Sequence, residues 1–122
     1  MLYSLEKNKY IKDIPYKDEF EKWKSSLTNK QYDAIVNKLN NKIDGDEIHT
    51  SSWIPGSDWR GTVYQPIYDI ACNKNKDAAA KFFGLILYKV IIERDEVWSF
   101  GRYKKDGVPI EGLTYFRLYR NP

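Results

Sequence analysis

"DAAAKFFGLILYKVIIER", residues 77–94, decides the fold. It is apolar nearly all the way round a helix, broken only by Lys81, Lys89 and the terminal charges. A helix apolar on more than one side is covered on more than one side, so this segment is expected at the centre of the molecule. "NKNKD", residues 73–77, precedes it and offers side chains to cap its first turn. The segment is too short, and carries too many lysines, to be expected to cross a bilayer.

The next element upstream is equally legible. In "LTNKQYDAIVNKLNNKIDG", residues 27–45, Thr28 and Gln31 have the spacing of a capping box, and Leu27 and Tyr32 that of a hydrophobic staple. Tyr32, Ile35, Val36, Leu39 and Ile43 then recur on one helical stripe. Gly45 stands where a left-handed C-terminal cap is expected. A preceding helix is predicted from near Pro15, with Tyr16, Phe20, Trp23 and Leu27 on one face and Asp18, Glu19 and Glu21 in its early turns. The short Ser25-Ser26 link joins the two as a hairpin or bent pair. A third, short helix is expected from Pro66, with Ile67, Ile70 and Ala71 inward.

Downstream, "EVWSFGRYKKDGVPIEGLTYFRLYR", residues 96–120, reads as a C-terminal β-hairpin turning at Asp106-Gly107. Pairing outward from that turn sets Tyr103 opposite Ile110, Arg102 opposite Glu111, Gly101 opposite Gly112, Trp98 opposite Tyr115 and Val97 opposite Phe116. One face carries Val97, Tyr103, Ile110, Phe116 and Leu118, with the two glycines side by side. That face is expected against the central helix, the glycines admitting it closely. The other face carries Trp98, Phe100, Arg102, Lys104, Leu113, Tyr115 and Arg117. With "EIHTSSW", residues 47–53, as a third strand, the fold class is α+β: about four helices and a small antiparallel sheet of about three strands.

The totals agree with a folded domain. A chain of 122 residues is read as one domain over 1–122. Aromatic residues reach 16%, which disordered chains do not show. The formal charge of +3 permits an anionic partner without demanding one. The single cysteine, Cys72, excludes an internal disulfide and a cysteine-rich zinc site, and reads as a small buried hydrophobe. The first residues hold no apolar run of signal-peptide length, so the expectation is a soluble, cytoplasmic protein.

Chemistry concentrates in "HTSSWIPGSDWRG", residues 49–61. It holds the only histidine and two of the four tryptophans. His49 and Glu47 lie on one side of a strand, and Asp58 and Arg60 could close over them. A ribonuclease-like site would use such a set: His49 and Glu47 for proton transfer, Arg60 for the developing charge. The plainer reading is that His49 is a surface residue. Asp44, Asp46, Glu47 and His49 lack metal-ligand spacing, so no metal is expected, and no phosphate-loop or dinucleotide motif implies a cofactor.

Two binding readings compete with catalysis. Trp53 and Trp59 flank the Pro55-Gly56 turn. They either pin the loop by burial or, with Arg60 and Tyr64, form an exposed anchor for a protein partner. On the hairpin, Trp98 and Tyr115 with Arg102 and Arg117 could stack on bases and hold phosphates. Against that, the segment lacks the RNP1 pattern, and the same aromatics could instead pack under a helix. The leading expectation is a small non-enzymatic binding protein, inhibitor- or immunity-like. It would grip a protein through the loop and the hairpin face. Nucleic-acid binding and ribonuclease chemistry are the alternatives. The directions of Arg60, Arg102 and Arg117 should separate them.

Overall fold

The computed structural model describes residues 1–120 and residue 122. Strand β1 (Leu2–Ser4) and strand β2 (Lys9–Ile11) form an N-terminal hairpin. Helices α1 (Lys17–Ser25) and α2 (Asn29–Asp44) follow, then β3 (Ile48–Thr50), a π-helical turn (Ile67–Ala71) and α3 (Lys76–Glu93). The chain ends in β4 (Trp98–Gly101), β5 (Lys104–Lys105), β6 (Val108–Pro109) and β7 (Thr114–Arg117). The fold is α+β as expected, but the sheet is larger and mixed. Five strands run in the order β2-β1-β4-β7-β3, with β1 parallel to β4, and β5-β6 form a separate ribbon.

The helix signals hold. Thr28 Oγ1 accepts from the Gln31 amide at 3.1 Å, and Gln31 Oε1 accepts from the Thr28 amide at 2.9 Å. Leu27, Tyr32, Ile35, Leu39 and Ile43 are buried along the expected stripe. Gly45 ends α2, but with φ −82°, so the cap is right-handed rather than left-handed. Asn75 caps α3 through the Ala78 amide at 3.0 Å. Phe82, Phe83, Leu85, Ile86, Leu87, Val90 and Ile91 are buried around the circumference of α3. Phe20 and Trp23 of α1 stand 5.8 and 5.6 Å from the Phe82 ring on one side. Tyr88 stands 5.9 Å from Phe100 of the sheet on another.

Two helical expectations change. Tyr16 is exposed, not on the buried face. It precedes α1 in a left-handed conformation (φ 54°), and its ring receives the Lys81 ammonium at 3.7 Å. The third helix is a π-turn: Cys72 N donates to Ile67 O, five residues back, at 3.0 Å. That wider winding puts Ile67, Ala71 and Cys72 inward and leaves Ile70 43% exposed. Cys72 is a buried free thiol, and burial pushes its pKa up to about 11.

The C-terminal hairpin is right at its tip and shifted beyond it. Asp106 (φ 52°) and Gly107 (φ 79°) make the turn, and Lys105 pairs with Val108. After Tyr103 the register slips by two: Trp98 pairs with Arg117, Phe100 with Tyr115 and Gly101 with Thr114. The slack is taken up at Glu111–Leu113, where Gly112 adopts φ +78°. A slip of two keeps every side chain on its face, yet the buried face is the opposite of the one expected. Trp98 and Tyr115 are each only 1% exposed and lie in the core with Leu2, and Tyr115 stands 6.4 Å from Tyr88 of α3.

The outer face carries small hydroxyl side chains that satisfy one another or backbone. Ser99 Oγ donates to Tyr3 O at 2.7 Å, and Thr50 and Thr114 share a 2.9 Å hydrogen bond. The glycines admit no helix. Gly101 admits the Tyr103 ring, which would stand 3.0 Å from a Cβ there and leans 6.3 Å from Phe116.

Candidate functional site: the loop and hairpin seam

The loop after β3 is sewn to the C-terminal hairpin. Ser51 N donates to Leu113 O at 2.9 Å, and Leu113 N returns a bond to Ser51 Oγ at 3.2 Å. Ser52 Oγ donates to Glu111 O at 2.8 Å. Gly112 lies at this seam because the Ser51 hydroxyl occupies the space where a Cβ would stand. The loop and the C-terminal hairpin are therefore joined along one seam, at Glu111–Leu113.

The loop tryptophans divide the work. Trp59 is half-buried, 5.9 Å from Phe83 and 6.3 Å from Tyr64, and its indole N–H donates to Gly56 O at 3.1 Å. It holds the loop onto α3. Tyr64 is buried behind it, not placed in an open clamp, and burial raises its pKa. Trp53 is 58% exposed, and the Lys105 ammonium lies 5.6 Å over its ring. Beside Lys105 on the hairpin, Val108 and Tyr103 are also exposed.

Arg60 stands apart from both groups. It is exposed and forms a bidentate pair with Asp58, Nε to Oδ1 at 3.0 Å and Nη2 to Oδ2 at 2.8 Å. That bonding holds the Asp58 carboxyl at about 2. The pair sits on the rim of a groove of about 1040 Å³. Trp59, Phe83 and Tyr68 supply the groove's aromatic lining, and Ser52, Glu111 and Gly112 bring it to the seam.

His49 is not on an exposed strand face. It is buried; its Nε2 lies 3.2 Å from Ile43 O and 3.0 Å from Asp46 O, and its ring is 5.7 Å from Trp98. A ring nitrogen held by two carbonyls is a donor there, not a free base. Glu47 is engaged by the Tyr119 hydroxyl. Arg60 is paired to Asp58, and the groove it borders does not include His49. The set His49, Glu47 and Arg60 is therefore not assembled around one substrate position.

The base-stacking platform is likewise not open. Trp98 and Tyr115 are core residues, and the Trp98 indole donates to Glu96 at 3.1 Å. Phe100 is half-buried under Tyr88. The three arginines diverge: Arg60 to Asp58, Arg117 half-buried with its guanidinium 5.3 Å over Tyr119, and Arg102 exposed without an ion pair among the described residues.

The sequence missed the N-terminal hairpin and the Arg94 cluster. The hairpin's available signal was Asn8, whose φ of 53° suits a residue that tolerates the left-handed turn. Arg94 bonds Asp44, Glu96 and the Asn40 side chain, the last at 2.7 Å. It joins the end of α2 to the start of β4, a contact between positions far apart in the chain.

Among the described residues, no helix is long and apolar enough to cross a membrane, and no three His, Cys, Asp or Glu gather as a metal site. Comparison with protein-family models, curated proteins and solved structures finds no match to this chain.

Proposed function

We propose that this protein is a non-enzymatic binding module that grips a protein partner through the loop–hairpin seam, with Trp53 as the anchor. The observation that carries the reading is the exposed Trp53 indole on a loop fastened from both sides. Ser51 and Ser52 tie it to the hairpin, and Trp59 ties it to α3. An exposed tryptophan on a flexible loop would lose much of its binding energy to ordering. One on a preorganised loop does not. Tryptophan, tyrosine and arginine are the usual interface anchors, and Tyr103 stands on the hairpin that carries Lys105. The groove bordered by Ser52 and Glu111 gives a partner a concave surface next to the anchor.

The test is site-directed photocrosslinking in cells of the source organism. A photoreactive aromatic side chain at position 53, large and apolar enough to stand in for the indole as the anchor, should give a discrete heteromeric adduct. The same group at Lys38, an exposed position on α2, should not. Excess unlabelled wild-type protein should compete the adduct away, and Trp53→Ala protein should compete about thirtyfold less well, the loss typical of an interface hot spot. Equal adducts at both positions, or none at 53, would refute the reading.

A further inference from the structure

Resting on that reading, we infer that the partner's docking surface is acidic, and that Arg102, Lys104 and Lys105 are the cations that meet it. The first ground is where the charge lies. Residues 1–97 hold fifteen basic and fifteen acidic side chains and balance to zero. Residues 98–122 hold five basic side chains against only Asp106 and Glu111, so the whole excess of +3 belongs to the C-terminal segment.

The second ground is how the charges are used. Every ion pair among the described residues lies between positions 13 and 96. Arg102, Lys104 and Lys105 are exposed and have no carboxylate partner there. Unpaired lysines occur elsewhere too, but there an equal number of acids offsets the basic side chains, whereas on the hairpin the unpaired cations are in excess. Of these cations Lys105 sits on the binding surface itself, and Arg102 and Lys104 lie beside it on the same hairpin arm. Lys105 lies over Trp53, and Val108 across the ribbon is 65% exposed. An apolar centre bordered by unpaired cations is complementary to an apolar patch bordered by carboxylates, and such fields steer association.

The chemistry favours an acidic protein over a nucleic acid. Nucleic acid binding wants open aromatic faces beside the cations. Here Trp98 and Tyr115 are buried, and the one exposed indole already has Lys105 over it. Asp106 and Glu111 interrupt the basic patch. They would repel a continuous phosphate chain, whereas a protein surface can present a lysine or arginine to each.

The experiment uses the full chain and three labelled probes, read by anisotropy at 50 mM salt. They are an eight-residue peptide with five glutamates and three leucines, its counterpart with lysine for glutamate, and an oligothymidine of eight nucleotides. The acidic peptide should bind, and its affinity should fall about tenfold by 300 mM salt. Lys104→Glu/Lys105→Glu should weaken it at least tenfold while the far-ultraviolet spectrum and melting temperature stay unchanged. Lys22→Glu/Lys24→Glu on α1 should not weaken it. Oligothymidine bound as tightly as the peptide would overturn the inference in favour of nucleic acid. Lack of acidic-peptide binding, or binding indifferent to the hairpin charge reversal, would overturn it outright. If the crosslink at position 53 forms yet ignores the same charge reversal, the partner is not acidic and only this inference fails. If no crosslink forms, the binding reading itself fails.

Discussion

Trp59 reaches from the loop to stand 5.9 Å from Phe83 of α3, ring centroid to ring centroid. This contact makes the loop part of the core's edge, while Trp53, six residues earlier, faces outward. Trp59→Ala should therefore cost about 2–4 kcal/mol in urea unfolding, somewhat below a fully buried tryptophan because Trp59 is only half covered. Trp53→Ala should stay within about 0.5 kcal/mol of wild type. Acrylamide should quench Trp53 strongly and Trp59 weakly in single-tryptophan variants. Equal stability losses at the two positions would contradict the assignment of anchor and pin.

Burial by itself would raise the Glu96 pKa from its ordinary 4.5, but hydrogen bonds from Arg94 and the Trp98 indole outweigh it and hold the carboxyl at about 2. A pKa depressed in the folded state contributes stability above the unfolded value and loses it as pH falls toward the folded one. The contribution is complete above about pH 4.5 and disappears between there and about pH 2. Its size is about 1–3 kcal/mol. Glu96→Gln should destabilise the protein at pH 7 and flatten the acid limb of a stability–pH curve. An unchanged acid limb would show that the Arg94–Glu96–Trp98 cluster does not govern it.

Gly112 combines a positive φ with a Cβ position already filled by the Ser51 hydroxyl. Gly112→Ala should cost about 1–3 kcal/mol, from backbone strain and the collision together. Adding Ser51→Gly should remove the collision but leave the backbone strain and sacrifice the bond to Leu113 N, so stability should not return to wild type. Thermal melts of the two variants beside wild type check this. A neutral Gly112→Ala would mean that the seam relaxes easily and does not hold the loop.

The observed capping box makes Thr28 a local determinant of α2. Thr28→Ala should lose about 0.5–2 kcal/mol, and Thr28→Asp should be close to neutral because a carboxylate also accepts from the Gln31 amide. Alanine and aspartate behaving alike would place the start of the helix elsewhere.

What the sequence determined by itself is the local grammar. Thr28-Gln31, Asn75 and Asp106-Gly107 act within a few residues, so their geometry is decided by the chain next to them. The buried circumference of α3 was also legible, because no other arrangement covers so many apolar side chains. Tertiary structure alone decided which face of β4 and β7 turns inward. Both faces carry aromatics, so alternation cannot choose between them. The choice went to the face whose Phe100 and Tyr115 meet Tyr88 and whose Trp98 meets His49, leaving Ser99, Thr50 and Thr114 buried on the opposite face, where they bond one another and the backbone. The two-residue slip at Gly112 and the burial of His49 against Trp98 have the same origin. Each depends on a partner tens of residues away, and so does the meeting of Trp53 with Lys105. Only the folded chain brings those two together, because the strand that precedes the loop pairs with the last strand of the sheet.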